Sequence, residues 1–185
     1  MTDLLDPAAL GRHLGAFRQR LFRMESLPRY TVDSDGDDYQ RWLDGEAEPS
    51  WERLNSWLDV LRDEHAVGKI SSRVRVLSAQ LTDYERYACE FGYRYTAEAG
   101  EDIRVLRRGE HDLPEGLIEH DFWIIDDDQV VEMHYADDGR FEGGEVLADH
   151  TLARHLRTRD AAWTAGEPFL GWWSRHPELH RHPTA

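Results

Sequence analysis

The sequence predicts an α+β domain with a mostly antiparallel sheet of five or six strands and helices packed on one face. Two observations support this. Segments with apolar residues at every third or fourth position, as on one side of a helix, occur among segments in which apolar and charged residues alternate, as along a strand. The last three alternating segments are separated by short Asp-rich turns, which are typical of an antiparallel meander. We expect a single domain over residues 1–185, with a His-rich tail from about residue 170.

The helix starts are marked by capping residues. Asp6 followed by Pro7 predicts a helix that ends near residue 19, because Asp is a good cap and Pro fits the first helical position. Thr82 with Glu85 three residues later forms a capping box, which predicts another helix to about residue 90. Apolar spacing and caps predict further helices at 39–43, 51–68 and after Asp149.

Short alternating segments predict the strands, and the polar stretch at 109–120 predicts a loop. The predicted strands cover residues 22–27, 70–78, 102–107, 121–126, 129–136 and 140–146.

Five of these strands carry a charged side chain at every second position. Successive side chains of a strand point to opposite faces, so we expect the charged residues to share one face and the apolar residues between them to face the helices. The charged positions are Arg23, Glu25, Arg73, Arg75, Asp102, Arg104, Asp121, Glu132 and His134. The apolar positions are Phe22, Met24, Val74, Val76, Ile103, Val105, Phe122, Ile124, Val131, Met133 and Tyr135.

The first functional hypothesis is a binding or regulatory accessory protein whose charged face holds a small anionic ligand or a partner segment. Arg forks fit carboxylates and phosphates, and a Trp beside them can stack on a planar ligand. The plainer alternative is a face open to water and crossed by ion pairs. The predicted ligand-binding residues on this face are Arg23, Arg73, Arg75, Arg104 and Trp123.

Two other hypotheses use different residues, and whether the chain is an enzyme stays open at this level. In the second, His134 is a general acid or base, Asp121 or Glu132 orients it, and the arginines stabilise a phosphorylated or carboxylated substrate. In the third, the chain is a docking subunit that binds a partner through Trp172 and Trp173 in its aromatic carboxyl-terminal tail.

The sequence predicts no metal site and names no cofactor. The acidic turn at 33–38 begins like a calcium-binding EF-hand loop, but Asp38 stands where that loop needs Gly and Asp44 where it needs Glu. A histidine cluster near the carboxyl end is expected to be a solvated tail, because zinc needs ligands fixed around a shaped cavity. Its members are His176, His180 and His182.

Charge and hydropathy limit the partners and the location. The net charge of −15 argues against direct nucleic-acid binding, since phosphate contacts require a basic stripe. The amino terminus lacks the features of a signal peptide, and no apolar run is long enough to span a bilayer. We therefore expect a cytoplasmic protein that does not bind membranes, and the sequence predicts no oligomeric state.

Five ordered motifs resemble a family of small actinobacterial proteins of unknown function, of the Streptomyces type. The motifs are SRVRV (72–76), LTDYER (81–86), GEDIRV (100–105), DFW (121–123) with DD (126–127), and MHY (133–135) with DGRF (138–141). Members of that family are often encoded beside helix-turn-helix regulators, so the resemblance implies such a regulator, or a small signal, as the partner. It also adds Tyr84 and Arg86 to the predicted ligand-binding residues.

Overall fold

Seven strands form one mixed sheet in the computed structural model, which describes residues 4–181 apart from the side chain of Ser34. In chain order they are β1 (Arg20–Glu25), β2 (Ile70–Leu77), β3 (Asp102–Arg107), β4 (Phe122–Ile125), β5 (Gln129–Tyr135), β6 (Phe141–Val146) and β7 (Glu167–Pro168). Their order across the sheet is β6-β5-β4-β1-β2-β3-β7. The strands β1, β2 and β3 run parallel, whereas β4, β5 and β6 form an antiparallel meander beside β1, and β7 pairs antiparallel with β3.

The helices surround this sheet, and no described helix is long and apolar enough to cross a membrane. They are α1 (Pro7–Gly15), α2 (Asp38–Leu43), α3 (Trp51–Ala66), α4 (Asp83–Tyr87), α5 (Arg94–Glu98), α6 (Leu152–Ala165) and α7 (Phe169–Ser174), with a π-helical segment (Ala88–Tyr93) between α4 and α5. Both predicted caps are present: Asp6 accepts from the backbone of Ala9 at 2.7 Å, and Thr82 and Glu85 form the capping box.

The α+β class is confirmed, but the prediction of a mostly antiparallel sheet with five or six strands is wrong. Parallel strands need a long crossover connection, and α3 and the α4–α5 segment provide it between β1, β2 and β3. The seventh strand, β7, has two residues, which is too short for any alternation of apolar and charged residues to mark it.

Both faces of the sheet are covered, so the prediction of helices on one face is also wrong. On one face, which we call the α6 face, apolar strand residues pack against α6. On the other, which we call the charged face, Arg23, Glu25, Arg73 and Arg75 lie between two apolar clusters. One cluster packs β2 and β3 against α7, and the other packs β4 and β5 against α1.

The register of β3 places four residues on the face opposite to the one predicted for them. Arg73 pairs with Ile103, so Ile103 and Val105 lie on the charged face, and Asp102 and Arg104 lie on the α6 face. Burial explains this register, because Ile103 and Val105 pack in the cluster that contains the large aromatic side chains of α7.

The same shift occurs in β5. Trp123 pairs with Val131, which places Val131, Met133 and Tyr135 on the charged face. As a result, Glu132 and His134 lie on the α6 face, and the prediction that they share a face with Arg23 is wrong.

The aromatic residues near the carboxyl end belong to the core. Trp172 is 0% exposed and Trp173 is 6% exposed, so they do not form the exposed docking surface that the sequence predicts. His176 and His180 are half-buried rather than fully solvated: His176 Nδ1 lies 2.8 Å from the carbonyl oxygen of Trp172, and the His180 ring stacks on Trp173 at 4.2 Å. The third histidine of this cluster, His182, lies outside the described residues.

One carboxylate fixes the start of β1. Asp126, in the turn after β4, accepts hydrogen bonds from the backbone N–H groups of Arg18, Gln19 and Arg20 at 2.9, 2.7 and 3.0 Å. Burial acts to raise the pKa of Asp126, but these hydrogen bonds outweigh it and hold the pKa well below its usual range.

We expect Asp126→Asn to lower the free energy of unfolding at pH 7 by about 1–2 kcal/mol, because charge-assisted bonds to backbone donors are lost. Asp126 has a lower pKa folded than unfolded, where the value is about 3.9, so its contribution is full above that pH and is lost as the pH falls. Urea unfolding at pH 7 and pH 3 should therefore show a smaller difference from wild type at pH 3. Asp128→Asn, at an exposed position of the same turn, is the control. A difference that did not change with pH would contradict this explanation.

Candidate functional site

Buried charges meet where β1 and β2 pair in parallel. The register sets Arg23 beside Arg73 and Glu25 beside Arg75. Glu25 is 3% exposed, Arg73 is 8% exposed and Arg75 is 0% exposed. Burying a charge is costly unless the charge is paired. These residues therefore fit the plainer alternative, a face crossed by ion pairs, in their pairing. They do not fit it in their exposure, because that alternative predicts a face open to water.

Glu25 is the centre of this network. Its Oε1 lies 2.9 Å from Arg23 Nη2, and its Oε2 accepts from Arg73 Nη1 at 2.7 Å and from the Tyr93 hydroxyl at 2.8 Å. Burial acts to raise the pKa of Glu25, but Arg23, Arg73 and Arg75 outweigh it and hold the pKa well below its usual range. Glu25 is therefore an ionised carboxylate whose two oxygens are both bonded.

Arg73 is bonded on both sides. Its Nε donates to Glu101 Oε1 at 2.7 Å while its Nη1 donates to Glu25, so it bridges two buried carboxylates.

Arg75 lies deeper. Its Nη2 donates to the carbonyl oxygen of Leu27 at 2.5 Å, its Nη1 donates to the Tyr30 hydroxyl at 3.3 Å, and Glu85 lies 3.8 Å away. The positive charges of Arg73 and Arg75 are thus neutralised within the chain.

Arg23 leaves part of its bonding capacity unused, and so does Arg75, whose Nε also lacks a hydrogen-bond partner among the described residues. The Arg23 guanidinium lies over the Trp123 ring at 4.9 Å and near the Tyr30 ring at 5.9 Å. Among the described residues, neither Arg23 Nε nor Trp123 Nε1 has a hydrogen-bond partner, although both atoms are buried. Burial opposes the charge of Arg23, but Glu25 outweighs it and raises the pKa of Arg23 above its usual range.

Tyrosines from three segments stand over these charges. Tyr30 lies 5.8 Å from Tyr84 and 5.4 Å from Tyr135, measured between ring centres, and Tyr84 lies 5.5 Å from Tyr87. Burial raises the pKa of all four hydroxyls, so they stay neutral. The Tyr84 hydroxyl donates to Asp35 Oδ2 at 2.6 Å, and burial also raises the pKa of Asp35.

These charges and rings enclose a cavity of about 650 Å³, which we call the aromatic cavity. Its floor contains Arg23, Glu25, Arg73 and Trp123, and α1 closes one side. Small-molecule sites commonly have volumes of about 300–1,000 Å³ and mostly apolar walls with a few fixed polar groups. The aromatic cavity has this size and composition.

Four of the predicted ligand-binding residues line this cavity: Arg23, Arg73, Trp123 and Tyr84. A fifth, Arg75, is buried beneath it.

The remaining two predicted ligand-binding residues lie elsewhere and have structural partners. Arg104, on the α6 face, donates to the carbonyl oxygens of Trp163 and Gly166, each at 3.0 Å. Arg86 donates to the carbonyl oxygen of Leu179 at 2.8 Å and so holds the segment after α7.

The predicted catalytic residues Asp121, Glu132 and His134 line a second, more polar cavity of about 890 Å³. Both carboxylate oxygens of Asp121 already accept hydrogen bonds. Oδ1 accepts from the Ser26 backbone N–H at 2.8 Å, and Oδ2 accepts from the Tyr30 hydroxyl at 2.5 Å. Burial raises the pKa of Asp121. The carboxylate beside His134 is Glu145, 3.1 Å from Nε2, which the sequence reasoning missed.

The sequence reasoning also missed, as site residues, several residues of the aromatic cavity and one residue of the charge network at its floor, Glu101. Tyr87 had a signal, because it follows Tyr84 by one helical turn. Glu101 lies inside the GEDIRV motif and faces Arg73, but no sequence pattern pairs the two. Tyr30 lies in irregular chain after β1, and Asp35 lies in a three-residue 3-10 helix (Asp33–Asp35) before α2, so no periodicity indicates their orientation.

Three metal-ligand side chains also converge among the described residues: Glu110, His111 and Glu167, with ligand atoms within 4.8 Å of one another. His111 Nδ1 accepts from the Arg107 backbone at 3.0 Å, so in the neutral ring Nε2 carries the hydrogen and faces Glu167 at 3.6 Å. Arg107 pairs with Glu110 and Arg175 pairs with Glu167. These contacts are those of an ion-pair cluster, and they leave His111 without a free lone pair for a metal.

Comparison with known proteins gives one family match. A family model described as "Domain of unknown function (DUF6879)" matches residues 8–174, a range that includes Arg23, Glu25, Arg73 and Tyr84. No curated protein matches the chain.

Proposed function

The chain belongs to the DUF6879 family, a domain of unknown function, and we propose that it is a binding protein that holds a small organic ligand in the aromatic cavity. The observation that supports this proposal is the composition of that cavity, in which aromatic walls stand over a floor with Arg23, Glu25 and Arg73. Aromatic rings contribute most of the contact area in such sites, and a few polar groups orient the ligand.

The floor of the cavity is pre-organised. Glu25 is held by Arg73 and Tyr93, and it in turn holds Arg23 over the Trp123 ring. A fixed polar group loses little conformational freedom on binding, which favours affinity. The same fixed bonds favour binding over catalysis here, because Glu25 is fully bonded and the tyrosine hydroxyls remain protonated.

We further propose a cytoplasmic location and an accessory role beside a helix-turn-helix regulator, as in the actinobacterial proteins that the motifs resemble. In this role the bound molecule is a small signal that the regulator responds to. A net charge of −15 supports a protein partner rather than direct contact with nucleic acid.

A second candidate function is proton transfer by His134. It is favoured by one contact, the 3.1 Å approach of His134 Nε2 to Glu145 beside the more polar cavity, since a carboxylate can orient a histidine for acid–base chemistry. Asp121 would not take part directly, because Ser26 and Tyr30 occupy both of its oxygens.

The test of the binding proposal fills the aromatic cavity without changing its charges. Gly11 in α1 and Gly92 in the π-helical segment both line the cavity, and a Cβ at either position would meet no described atom within 4 Å. We expect wild-type protein to bind members of an aromatic fragment library in ligand-detected NMR. Gly11→Leu and Gly92→Leu should each raise the Kd of those fragments at least about tenfold, equivalent to about 1.4 kcal/mol. The melting temperature of each variant should stay at the wild-type value.

Gly15→Leu is the matched control, because Gly15 lies in the same helix as Gly11, also has open space at its Cβ, and does not line the cavity. It should bind the fragments like wild type. Fragments that bind all four proteins equally would place binding outside the cavity, and a library with no binder would refute the proposal.

A further inference from the structure

Building on the proposed function, we infer that the ligand of the aromatic cavity is an uncharged planar molecule with a carbonyl-type oxygen beside its ring. The inference departs from the anionic ligand that the sequence predicts. It rests on the charge balance around the floor, on two unsatisfied donors, and on the position of Arg23.

The floor has no surplus of positive charge to offer a phosphate. Three arginines, Arg23, Arg73 and Arg75, lie among four buried carboxylates, which are Glu25, Glu85, Glu101 and Asp121. Asp33 and Asp35 add further acidic groups to the wall, and Arg140, which also lines it, pairs with Glu142 at 3.8 Å. A phosphate dianion would lose its hydration here without gaining an uncompensated cation, so its binding is disfavoured.

The floor does offer unused hydrogen-bond donors. Arg23 Nε and Trp123 Nε1 are both buried without a partner among the described residues, and the two side chains stack at 4.9 Å. A buried donor without a partner is unfavourable, because it has lost its hydrogen bonds to water without gaining another acceptor. A carbonyl oxygen has two lone pairs, so it can accept from such a donor without bringing a charge into the cavity.

Arg23 also disfavours a cationic ligand. Aromatic cages bind cations through the faces of their rings, but here the guanidinium of Arg23 already lies over Trp123 and near Tyr30. A second cation would meet like charge. The remaining wall, with Tyr84, Tyr87 and Tyr135, offers ring faces and edges that suit a neutral planar molecule.

The experiment uses three probes with one ring system: 2-naphthamide, 2-naphthoate and 2-naphthyl phosphate. We expect titration of the wild-type protein to give the lowest Kd for the amide and a Kd at least about tenfold higher for the phosphate, a difference of about 1.4 kcal/mol. Trp123→Phe keeps a ring and removes the N–H, and Arg23→Met removes the guanidinium. Each substitution should raise the Kd of the amide at least about fivefold, equivalent to about 1 kcal/mol. Trp57→Phe, at an exposed position on α3 outside the cavity, is the control and should leave that Kd unchanged.

The outcomes separate this inference from the proposed function. The inference is overturned if the phosphate binds as tightly as the amide or more tightly. It is also overturned if the amide binds Trp123→Phe and Arg23→Met with the same Kd as wild type. If Gly11→Leu nevertheless weakens probe binding at least about tenfold, the binding function stands and only the ligand class is wrong. If none of the three probes binds, the inference falls, and the fragment library judges the function independently. Should Arg23→Met fail to fold by circular dichroism, Trp123→Phe alone decides.

Discussion

Arg73→Met is expected to lower the free energy of unfolding at pH 7 by about 3–5 kcal/mol, because removing one partner of a buried ion pair leaves the other charge uncompensated. Arg73 bridges Glu25 and Glu101, and all three side chains are buried. For a chain of this length, such a loss corresponds to a fall in melting temperature of roughly 10 °C. Arg73 thus stabilises the fold, so a loss of binding in this variant cannot by itself identify a ligand contact.

Urea unfolding measures this effect, and its pH dependence tests the cause. Arg73 helps to hold the pKa of Glu25 below its unfolded value of about 4.3, so this stabilisation is full above that pH and is lost as the pH falls. The difference between wild type and Arg73→Met should therefore narrow from pH 7 to pH 3. Arg62→Met, which removes an exposed pair with Asp59, should cost less than about 1 kcal/mol. A pH-independent difference would mean that lost packing, not charge, is the cause.

Trp172→Ala is the second large expected effect, a loss of about 3–5 kcal/mol in the free energy of unfolding. Trp172 is fully buried in the cluster that joins α7 to β3, and its indole Nε1 donates to Glu110 Oε1 at 3.1 Å. The substitution leaves a large cavity and also removes the donor to Glu110.

Thermal and urea unfolding of two related variants check this explanation. Trp172→Phe keeps an aromatic ring at this position. It should lower the free energy of unfolding by about 1–2 kcal/mol, mainly through the missing hydrogen bond. Leu170→Ala, an exposed position on the same helix, should change stability by less than about 0.5 kcal/mol. A loss below about 1 kcal/mol for Trp172→Ala would mean that α7 contributes little to the core, and an exposed docking role for this segment would then regain support.

The parallel part of the sheet could have been predicted from the sequence, and the strand registers could not. Helices were predicted between the first three strands, which is the pattern of parallel strands with crossover connections. The register of β3 depends on whether Ile103 and Val105 or the residues between them meet α7, and that depends on contacts far apart in the chain. Local alternation fixes which residues of one strand share a face, but not how that strand pairs with its neighbours.

The candidate site was also only partly predictable from the sequence. Arg23, Arg73 and Arg75 were placed together correctly because β1 and β2 both alternate and pair in register. Their burial was not predicted, because it comes from Tyr30, Tyr93 and the acidic partners supplied by other segments. Arg104 was wrongly grouped with them, since alternation alone cannot tell an arginine that caps a carbonyl from one beside a cavity.

Both borders of the sheet are protected against pairing with a second sheet. At one border, β7 offers two residues, and Pro168 has no N–H to donate. At the other, Leu5 already exchanges both backbone hydrogen bonds with Gly144 of β6, at 2.7 and 3.0 Å. Pairing with another strand is therefore limited at β7 and at Gly144, and loss of the Leu5 contacts would uncover the N–H and C=O groups of Gly144.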